Sequence, residues 1–375
     1  MLSPAEKLRY QKHILLSELG QEGQSKLKKA KVLVVGAGGL GCPVLQYLAA
    51  AGVGTIGIID GDTVEESNLQ RQVLYDAADV NRPKAATAVA RLRRLNDLID
   101  YQIYPTFLTS DNAPGIIEAY DIVVDCTDNF TVRYLINDVC VSQHKPFVYG
   151  AIYRFEGQVS VFNYTDSAGI LGPTYRCLFP KAPGGLEIPN CTEIGVVGIL
   201  PGMIGMMQAN EVFKIITGIG QVLSGELVLI DLLENTQRKM RCRRRDNAEA
   251  LAEQALNNPR AAACDHPLPG ASVTAAELDA LLKQYPETFL LDVRQPDEYD
   301  LCHLPNAVLI PMPAIPNGYR HIPRDRPVVV YCHHGMRSAS VIQYLKQEHG
   351  YQNLSNLEGG IHAWADEIDL RMVKY

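Results

Sequence analysis

The chain has 375 residues, of which 47% are hydrophobic and 21% charged, a composition typical of a protein that folds around an apolar core. Its formal net charge of -7 argues against nucleic acid or an anionic membrane surface as the main partner. No apolar run approaches the roughly 20 residues that a membrane span needs, and the first residues lack the apolar segment and cleavage site of a signal peptide.

Nine cysteines are scattered along the chain, odd in number and with no close pair. This distribution suits a reducing compartment better than a disulfide framework, so we expect a cytoplasmic protein. The length favours two domains.

The first half alternates strand-like and helix-like segments. Residues 1–30 read as helix, and apolar runs at 31–36, 55–60 and 121–126 read as buried strands with a helix after the first of them. This rhythm predicts an α/β fold of the Rossmann-like kind, in which helices cover both faces of a mostly parallel sheet.

A glycine-rich turn follows the first predicted strand and opens a helix. Gly36, Gly38, Gly39 and Gly41 fit the pattern G-x-G-x-x-G, which lets the backbone approach phosphate groups at a helix N-terminus. Asp60 ends the next strand about 20 residues later, where a carboxylate can bind ribose hydroxyls. The pattern alone would equally suit an NAD-dependent oxidoreductase or a tight turn without a ligand.

Polar and cationic residues after the later strands narrow the choice. Asn68, Arg71, Lys84 and Asp128 come after successive strands, whose carboxyl ends meet along one edge of a parallel sheet. The arginine and the lysine would neutralise a triphosphate, and the aspartate would hold magnesium. The set therefore favours ATP, although each residue taken alone could be a helix cap or a surface ion pair.

The character of the chain changes after Arg241. Residues 246–270 are rich in alanine and asparagine and close with proline and glycine, so we interpret them as a linker. The predicted domains are therefore 1–245 and 271–375, the second being a small α/β unit.

The second domain contains a cysteine at the end of a predicted strand. Cys332 is followed by a short loop that reaches Arg337 and the start of a helix. Successive N–H groups in such a loop form an anion nest that stabilises a thiolate or a persulfide, and the arginine adds a fixed positive charge. His333 and His334 are interpreted as loop-lining residues rather than metal ligands.

The ordered motifs of the first half resemble the MoeB/ThiF family, relatives of the ubiquitin-activating enzymes. The resemblance covers about residues 5–240 and rests on "GAGGLG", "DGDTVEESNLQRQ", "RPK", "VDCTDNF", "EGQVSVF" and "YRCLFP". It implies that ATP and magnesium are used to adenylate the C-terminal glycine of a ubiquitin-like sulfur carrier ending in Gly-Gly.

The resemblance also implies roles for single residues. Asp60 would hold the ribose, Asp128 would bind magnesium, and three residues would contact phosphates, namely Asn68, Arg71 and Lys84. Members of the family are homodimers in which an N-terminal arginine enters the partner's site, and Lys12 stands at that position here. A lysine keeps the charge but lacks the bidentate fork of arginine.

Three cysteines bear on further family features. Many members bind a structural zinc through two C-x-x-C pairs, but here only Cys177 and Cys242 remain near the expected positions, so no structural zinc is expected. Cys191 matches the family's crossover-loop cysteine, which would attack the adenylate or take part in sulfur transfer. The alternative is a small loop residue without a chemical role.

The pattern around Cys332 resembles a rhodanese domain over about residues 271–375. The spacing from Cys332 to Arg337 is C-x4-R, which resembles the sulfurtransferase version of the loop, whereas related phosphatases use the wider C-x5-R. An inactive rhodanese-like binding module is the alternative.

Together the two halves predict an adenylyltransferase and sulfurtransferase that converts a sulfur carrier into its thiocarboxylate. Molybdenum cofactor synthesis is the first candidate pathway and thiamin synthesis the second, with a cysteine desulfurase as a sulfur donor. Three alternatives remain at this point: a rhodanese domain that only docks a separate donor, an NAD-dependent oxidoreductase with a regulatory tail, and a non-enzymatic scaffold for carrier proteins.

Overall fold

The computed structural model describes residues 1–180, 195–257 and 272–375. The first two ranges form one compact unit and the third forms another. No helix within these ranges is long and apolar enough to cross a membrane.

The first unit is built on an eight-stranded sheet in the order β3-β2-β1-β4-β5-β6-β7-β8. Its strands are β1 Lys31–Val35, β2 Thr55–Ile59, β3 Asp100–Tyr104, β4 Ile122–Asp125, β5 Phe147–Tyr153, β6 Glu156–Phe162, β7 Glu226–Asp231 and β8 Thr236–Arg241. The five strands from β3 through β2, β1 and β4 to β5 are parallel to their neighbours. From β5 to β8, each strand pairs antiparallel with the next. The predicted mostly parallel sheet is confirmed.

Helices cover the parallel part of this sheet. They are α1 Pro4–Arg9, α2 Gln11–Ile14, α3 Gly20–Lys29, α4 Gly41–Ala51, α5 Lys84–Leu95, α6 Ala113–Glu118, α7 Phe130–Ser142, α8 Tyr175–Leu178, α9 Ile199–Thr217 and α10 Ala248–Asn257. Apolar side chains from both faces of β1 and β4 enter two separate buried clusters, as expected for strands covered on both sides.

The strand order places a crevice between β1 and β4. The chain runs from β1 outward to β2 and β3, then returns to add β4 on the other side of β1. The loops after β1 and β4 therefore leave the sheet in opposite directions from adjacent carboxyl ends. Open α/β sheets bind ligands at this kind of switch point.

The helix α10 extends the first unit beyond the predicted boundary at residue 245. It packs against α7 and α8, and Leu256 lies against the buried cluster that contains Tyr134 and Tyr175. The first part of the predicted linker is thus helical, because its alanines and Leu251 give it an apolar side. The remainder, 258–271, lies outside the described residues.

The second unit has a five-stranded parallel sheet in the order β11-β10-β12-β13-β9. The strands are β9 Ser272–Val273, β10 Phe289–Asp292, β11 Val308–Leu309, β12 Val328–Tyr331 and β13 Leu354–Leu357; the helices are α11 Ala275–Gln284, α12 Pro296–Leu301, α13 Ile315–Gly318, α14 Met336–His349 and α15 Gly360–Glu367. The central strand β12 is fully buried, as its four consecutive apolar residues predict. It ends directly before Cys332.

Candidate active sites

The glycine-rich turn is closed tightly against the loop that follows β4. Gly36 has a φ of +93°, and a Cβ added to it would lie 2.8 Å from the carbonyl oxygen of Cys126. A Cβ on Gly41 would lie 2.0 Å from the carbonyl oxygen of Gly36. Both positions therefore require glycine for the turn itself.

Gly38, by contrast, faces an opening. A Cβ on Gly38 would meet only the side chain of Gln72, at 3.6 Å from Nε2. Gln72 is buried, and its Oε1 has no hydrogen-bond partner within the described parts of the chain. A buried amide beside an open glycine is a donor and acceptor available to a ligand. The sequence motifs did not single out this glutamine.

Asp60 ties the second strand to the glycine turn. Its Oδ2 accepts a hydrogen bond from the N–H of Ala37 at 2.7 Å, and its Oδ1 accepts one from Asp62 at 2.8 Å. Burial raises the pKa of Asp60, while the hydrogen bond from Ala37 and the charge of Lys84 oppose that rise. The ribose-binding role remains a prediction, and the carboxylate oxygens keep lone pairs for it.

Lys84 brings a buried positive charge to the same region. Its Nζ lies 3.1 Å from Oδ2 of Asp62, and its side chain is only 8% exposed. Lysine is seldom buried this far without a partner, and the Asp62 carboxylate that holds it is half exposed. A polyanionic ligand would supply a further partner for the ammonium group.

Asn68 and Arg71 are close by but already make local contacts. The Asn68 amide bonds to Glu65 within a short 3₁₀ helix, and Nη1 of Arg71 donates to the carbonyl of Ser67 at 2.9 Å. The Arg71 side chain also reaches the turn, since its Cγ lies 3.6 Å from the position of a Cβ on Gly39. The interpretation of Asn68 and Arg71 as residues with local, cap-like contacts thus accounts for part of their role. Their contacts with phosphate remain predictions.

Asp128 is placed on the opposite side of the crevice. It is exposed and makes no hydrogen bond or ion pair with any residue that the structure describes. The loop that carries it is held by Arg133, whose Nε donates to the buried Asp125 at 2.8 Å and whose Nη2 donates to Thr127 at 2.9 Å. A carboxylate with no structural partner on an anchored loop suits a cation. Arg133 was not singled out from the sequence.

The two glycine environments predict opposite outcomes for the same substitution. Gly38→Ala should leave folding intact but weaken nucleotide binding at least about tenfold, because its methyl group enters the opening. Gly41→Ala should lower the free energy of unfolding by about 2 kcal/mol or more, because the methyl group clashes with backbone. Circular dichroism melts and ATP titration separate the two. Equal stability of both variants would contradict this description of the turn.

Other predicted residues lie in different places. Lys12 is exposed and has no bonded partner among the described residues, whereas the neighbouring Arg9 donates to the carbonyl of Leu95 in its own chain. Cys191 falls in 181–194, outside the described residues. The Sγ of Cys177 accepts a hydrogen bond from the N–H of Arg245 at 3.3 Å. The expected lack of zinc remains a prediction.

In the second unit, the loop after β12 wraps the sulfur atom of Cys332. The N–H of Gly335 donates to Sγ at 3.1 Å, and the hydroxyl of Ser338 lies 3.5 Å from it. Gly335 has a φ of +91°, which turns its N–H inward and begins α14. Donors around a buried sulfur stabilise its anionic form.

Arg337 is held beside the loop by a carboxylate that the sequence analysis missed. Its two terminal nitrogens lie 2.6 and 2.7 Å from the two oxygens of Glu298. Burial tends to raise the pKa of Glu298, but the hydrogen bonds from Arg337 dominate and hold it at about 2. The guanidinium keeps its positive charge in this ion pair, and the role of that charge at the cysteine loop remains a prediction.

Hydrogen bonds from neighbouring side chains connect this ion pair to a second, buried one. Tyr375 donates to Glu298 at 3.1 Å, and Arg294 donates to the Tyr375 hydroxyl at 2.5 Å. Arg294 is itself fully buried and paired with Asp292. The buried Asp292–Arg294 pair therefore anchors Tyr375, which in turn contacts Glu298.

Glu298→Gln should destabilise the second unit by about 3 kcal/mol, because it removes the carboxylate charge that pairs with Arg337 in a mostly buried position. The single tryptophan, Trp364, is buried in this unit and reports its unfolding in urea by fluorescence. Glu287→Gln, at an exposed site, is the control. An unchanged midpoint for Glu298→Gln would show that the ion pair adds nothing to stability.

Fold and geometry together define an enzyme with a nucleotide-binding α/β unit and a cysteine-loop sulfurtransferase unit. Residues 10–251 match the ThiF family and residues 274–367 match the rhodanese-like domain. The chain belongs to the ThiF family and carries a rhodanese-like domain after it. Both resemblances noted in the sequence are confirmed.

Curated relatives align along nearly the whole chain. The chain is 42% identical to a probable adenylyltransferase/sulfurtransferase MoeZ of Mycobacterium tuberculosis, covering 100% of this chain and 96% of the relative. It is 38% identical to the adenylyltransferase and sulfurtransferase MOCS3 of Drosophila grimshawi, covering 98% and 86%. The protein is thus an adenylyltransferase and sulfurtransferase, and the oxidoreductase and scaffold alternatives are not supported.

One relative matches the first unit more strongly. The chain is 51% identical to a sulfur carrier protein adenylyltransferase of Thermus thermophilus over 66% of this chain and 91% of the relative. Among solved structures, E. coli MccB shares the fold with a TM-score of 0.56 and 22% identity, covering 65% of this chain and 72% of MccB. MccB has also been solved with ATP.

Proposed function

We propose that this enzyme adenylates the C-terminal glycine of a ubiquitin-like sulfur-carrier protein and then replaces the adenylate with sulfur. The observation that carries the proposal is the pairing of two sites in one chain: a glycine turn with an open Gly38 beside Lys84, and a cysteine loop wrapped around Cys332. The relatives named for adenylation and sulfur transfer support it.

In the first step the carrier's carboxylate oxygen attacks the α-phosphorus of ATP and releases pyrophosphate. The glycine turn brings backbone N–H groups to the phosphates, Asp60 binds the ribose, and the side chains of Asn68, Arg71 and Lys84 contact the phosphate oxygens. The positive charges stabilise the charge that builds up on the leaving pyrophosphate. The product is an acyl-adenylate with an activated carbonyl carbon.

We assign magnesium to Asp128. The residues fit the ion, because this carboxylate is exposed beside the crevice and has no protein partner among the described residues. Magnesium bound there would neutralise phosphate charge, and Arg133 keeps the Asp128 loop in position through Asp125.

In the second step the terminal sulfur of a Cys332 persulfide attacks the carbonyl carbon and displaces AMP, leaving an acyl disulfide. A second thiol then attacks Sγ of Cys332, and the carrier leaves as its thiocarboxylate. Cys191 is our candidate for that thiol. Reduction of the resulting disulfide by cellular thiols regenerates Cys332, which a cysteine desulfurase would reload with sulfur.

A homodimer completes this proposal. The N-terminal segment and α9 carry exposed apolar side chains, namely Leu8, Leu15, Leu16, Ile199 and Met206. His13 packs against Phe213 of α9 at a ring distance of 5.7 Å, which connects the two regions. Apolar surface of this kind is typical of subunit interfaces. Lys12 lies within it and would enter the partner's nucleotide site.

The cellular setting follows from the same chemistry. Every cysteine in the described ranges is free, which supports a reducing, cytoplasmic location. Molybdenum cofactor synthesis is the pathway that we favour, with thiamin synthesis second.

Carrier-dependent exchange of pyrophosphate into ATP tests the adenylation step. A panel of ubiquitin-like proteins ending in Gly-Gly would be compared with copies that lack the last glycine. We expect exchange with at least one intact carrier and none with its truncated copy. Equal exchange with both copies, or no exchange with any carrier, would contradict the proposed substrate.

A further inference from the structure

Three histidines come together beside the cysteine loop. His333 and His334 directly follow Cys332, and His362 lies in α15. Their ring nitrogens offer one ligand atom each, and these atoms lie within 4.8 Å of one another. Within the described ranges, these three histidines are the one group of three or more possible metal-ligating side chains that lie this close together.

The backbone fixes the two segments to each other. The N–H of Ile361 donates to the carbonyl of Cys332 at 2.9 Å, and the N–H of His362 donates to that of His333 at 3.1 Å. A Cβ on Gly360 would lie 2.2 Å from the carbonyl oxygen of His333, so the helix approaches the loop as closely as a glycine permits. The three imidazoles are therefore held together by the fold.

The two ring nitrogens of His362 lie in different surroundings. Its Nε2 lies 3.4 Å from Oδ2 of Asp366, while its Nδ1 is buried and has no hydrogen-bond partner in the described chain. Metal-bound histidines commonly donate one ring N–H to a carboxylate and direct the other nitrogen to the ion. Asp366 is itself held by Lys374 at 2.5 Å.

The neighbouring imidazoles are suited to the same ion. The rings of His333 and His334 stack at 4.1 Å, and that of His334 lies 5.0 Å from the ring of His362. Nitrogens bound to one zinc ion are about 3.3 Å apart, and the exposed His334 can close that gap by side-chain rotation.

We propose that His333, His334 and His362 form a binding site for a divalent transition-metal ion of the zinc type. Three imidazole nitrogens suit zinc and leave a fourth position open to water or an anion. The site is separate from the magnesium assigned to Asp128, and it does not depend on the identity of the carrier.

Calorimetric titration of the metal-stripped, tag-free full chain with Zn²⁺ tests this proposal. We expect one equivalent to bind, and His334→Gln and His362→Gln should each weaken binding at least about tenfold. His321→Gln, at an exposed position, is the matched control and should bind as the unaltered protein does.

A further variant distinguishes zinc bound by the three histidines from zinc bound by the Cys332 thiol. Cys332→Ser should retain the equivalent of zinc if the histidines hold it. Loss of binding in Cys332→Ser with retention in both histidine variants would assign the ion to the thiol and overturn the proposal. Absence of binding at micromolar zinc, with the fold verified by circular dichroism, would overturn it as well.

Discussion

Replacing Cys332 by serine is expected to lower sulfur transfer to the carrier at least about a thousandfold, because the hydroxyl cannot carry a persulfide. Adenylation should remain unchanged within about twofold, since the glycine turn and Lys84 belong to the other compact unit. Thiocarboxylate formation and pyrophosphate exchange, measured on the same preparation, give the two rates.

Cys302→Ser is the matched control for this variant. Cys302 belongs to the same unit and is partly exposed, and the one hydrogen bond of its Sγ to a described residue is that to the carbonyl of Val373. Both activities should survive its replacement. If Cys332→Ser formed thiocarboxylate at the normal rate, the rhodanese-like unit would act as a docking site for a separate sulfur donor.

The second large effect is expected at Asp128. Asp128→Asn keeps the size of the side chain but removes its charge, so adenylation should fall about a hundredfold or more and require a higher magnesium concentration. Stability should not change, because the carboxylate has no partner among the described residues. Pyrophosphate exchange measured across a magnesium series provides the readout.

Asp111→Asn serves as the control, since Asp111 is also exposed and has no side-chain partner in the described chain. If Asp128 were an ordinary solvated loop residue, the two variants would behave alike. A full exchange rate for Asp128→Asn would therefore remove this residue from the magnesium site.

The sequence predicts well those features that depend on local patterns. Apolar runs located β1, β2, β4 and β12, because a strand buried on both faces must be apolar throughout. Once the strands are located, the residues that come directly after them are located as well. The glycine turn and Cys332 are therefore predicted correctly at the carboxyl ends of strands.

Contacts between segments that are distant in the sequence could not be predicted from it. Glu298 and Arg337 are 39 residues apart, and only the packing of α12 against the cysteine loop brings them together. Nothing in "QPDEYD" distinguishes this glutamate from a helix-capping one, and its backbone contact with Gln295 is of that capping kind. The sequence therefore predicts the positive charge of Arg337 beside the loop but not the carboxylate that pairs with it.

The histidine cluster illustrates the same difficulty. From the sequence, His333 and His334 are interpreted as loop-lining residues, and no third histidine lies close to them along the chain. His362 joins them only through the hydrogen bonds between α15 and the cysteine loop. Likewise, Gln72 becomes noticeable only when its buried Oε1 proves to lack a partner in the described structure.

The central claim is that one chain activates a carboxylate with ATP and sulfurates it through Cys332. Mass spectrometry of an intact carrier, incubated with the enzyme, ATP, magnesium and thiosulfate, tests it most directly. The account predicts replacement of one C-terminal oxygen by sulfur, dependent on both ATP and Cys332. A carrier that is adenylated but never gains sulfur, or that gains it without ATP, would contradict the account.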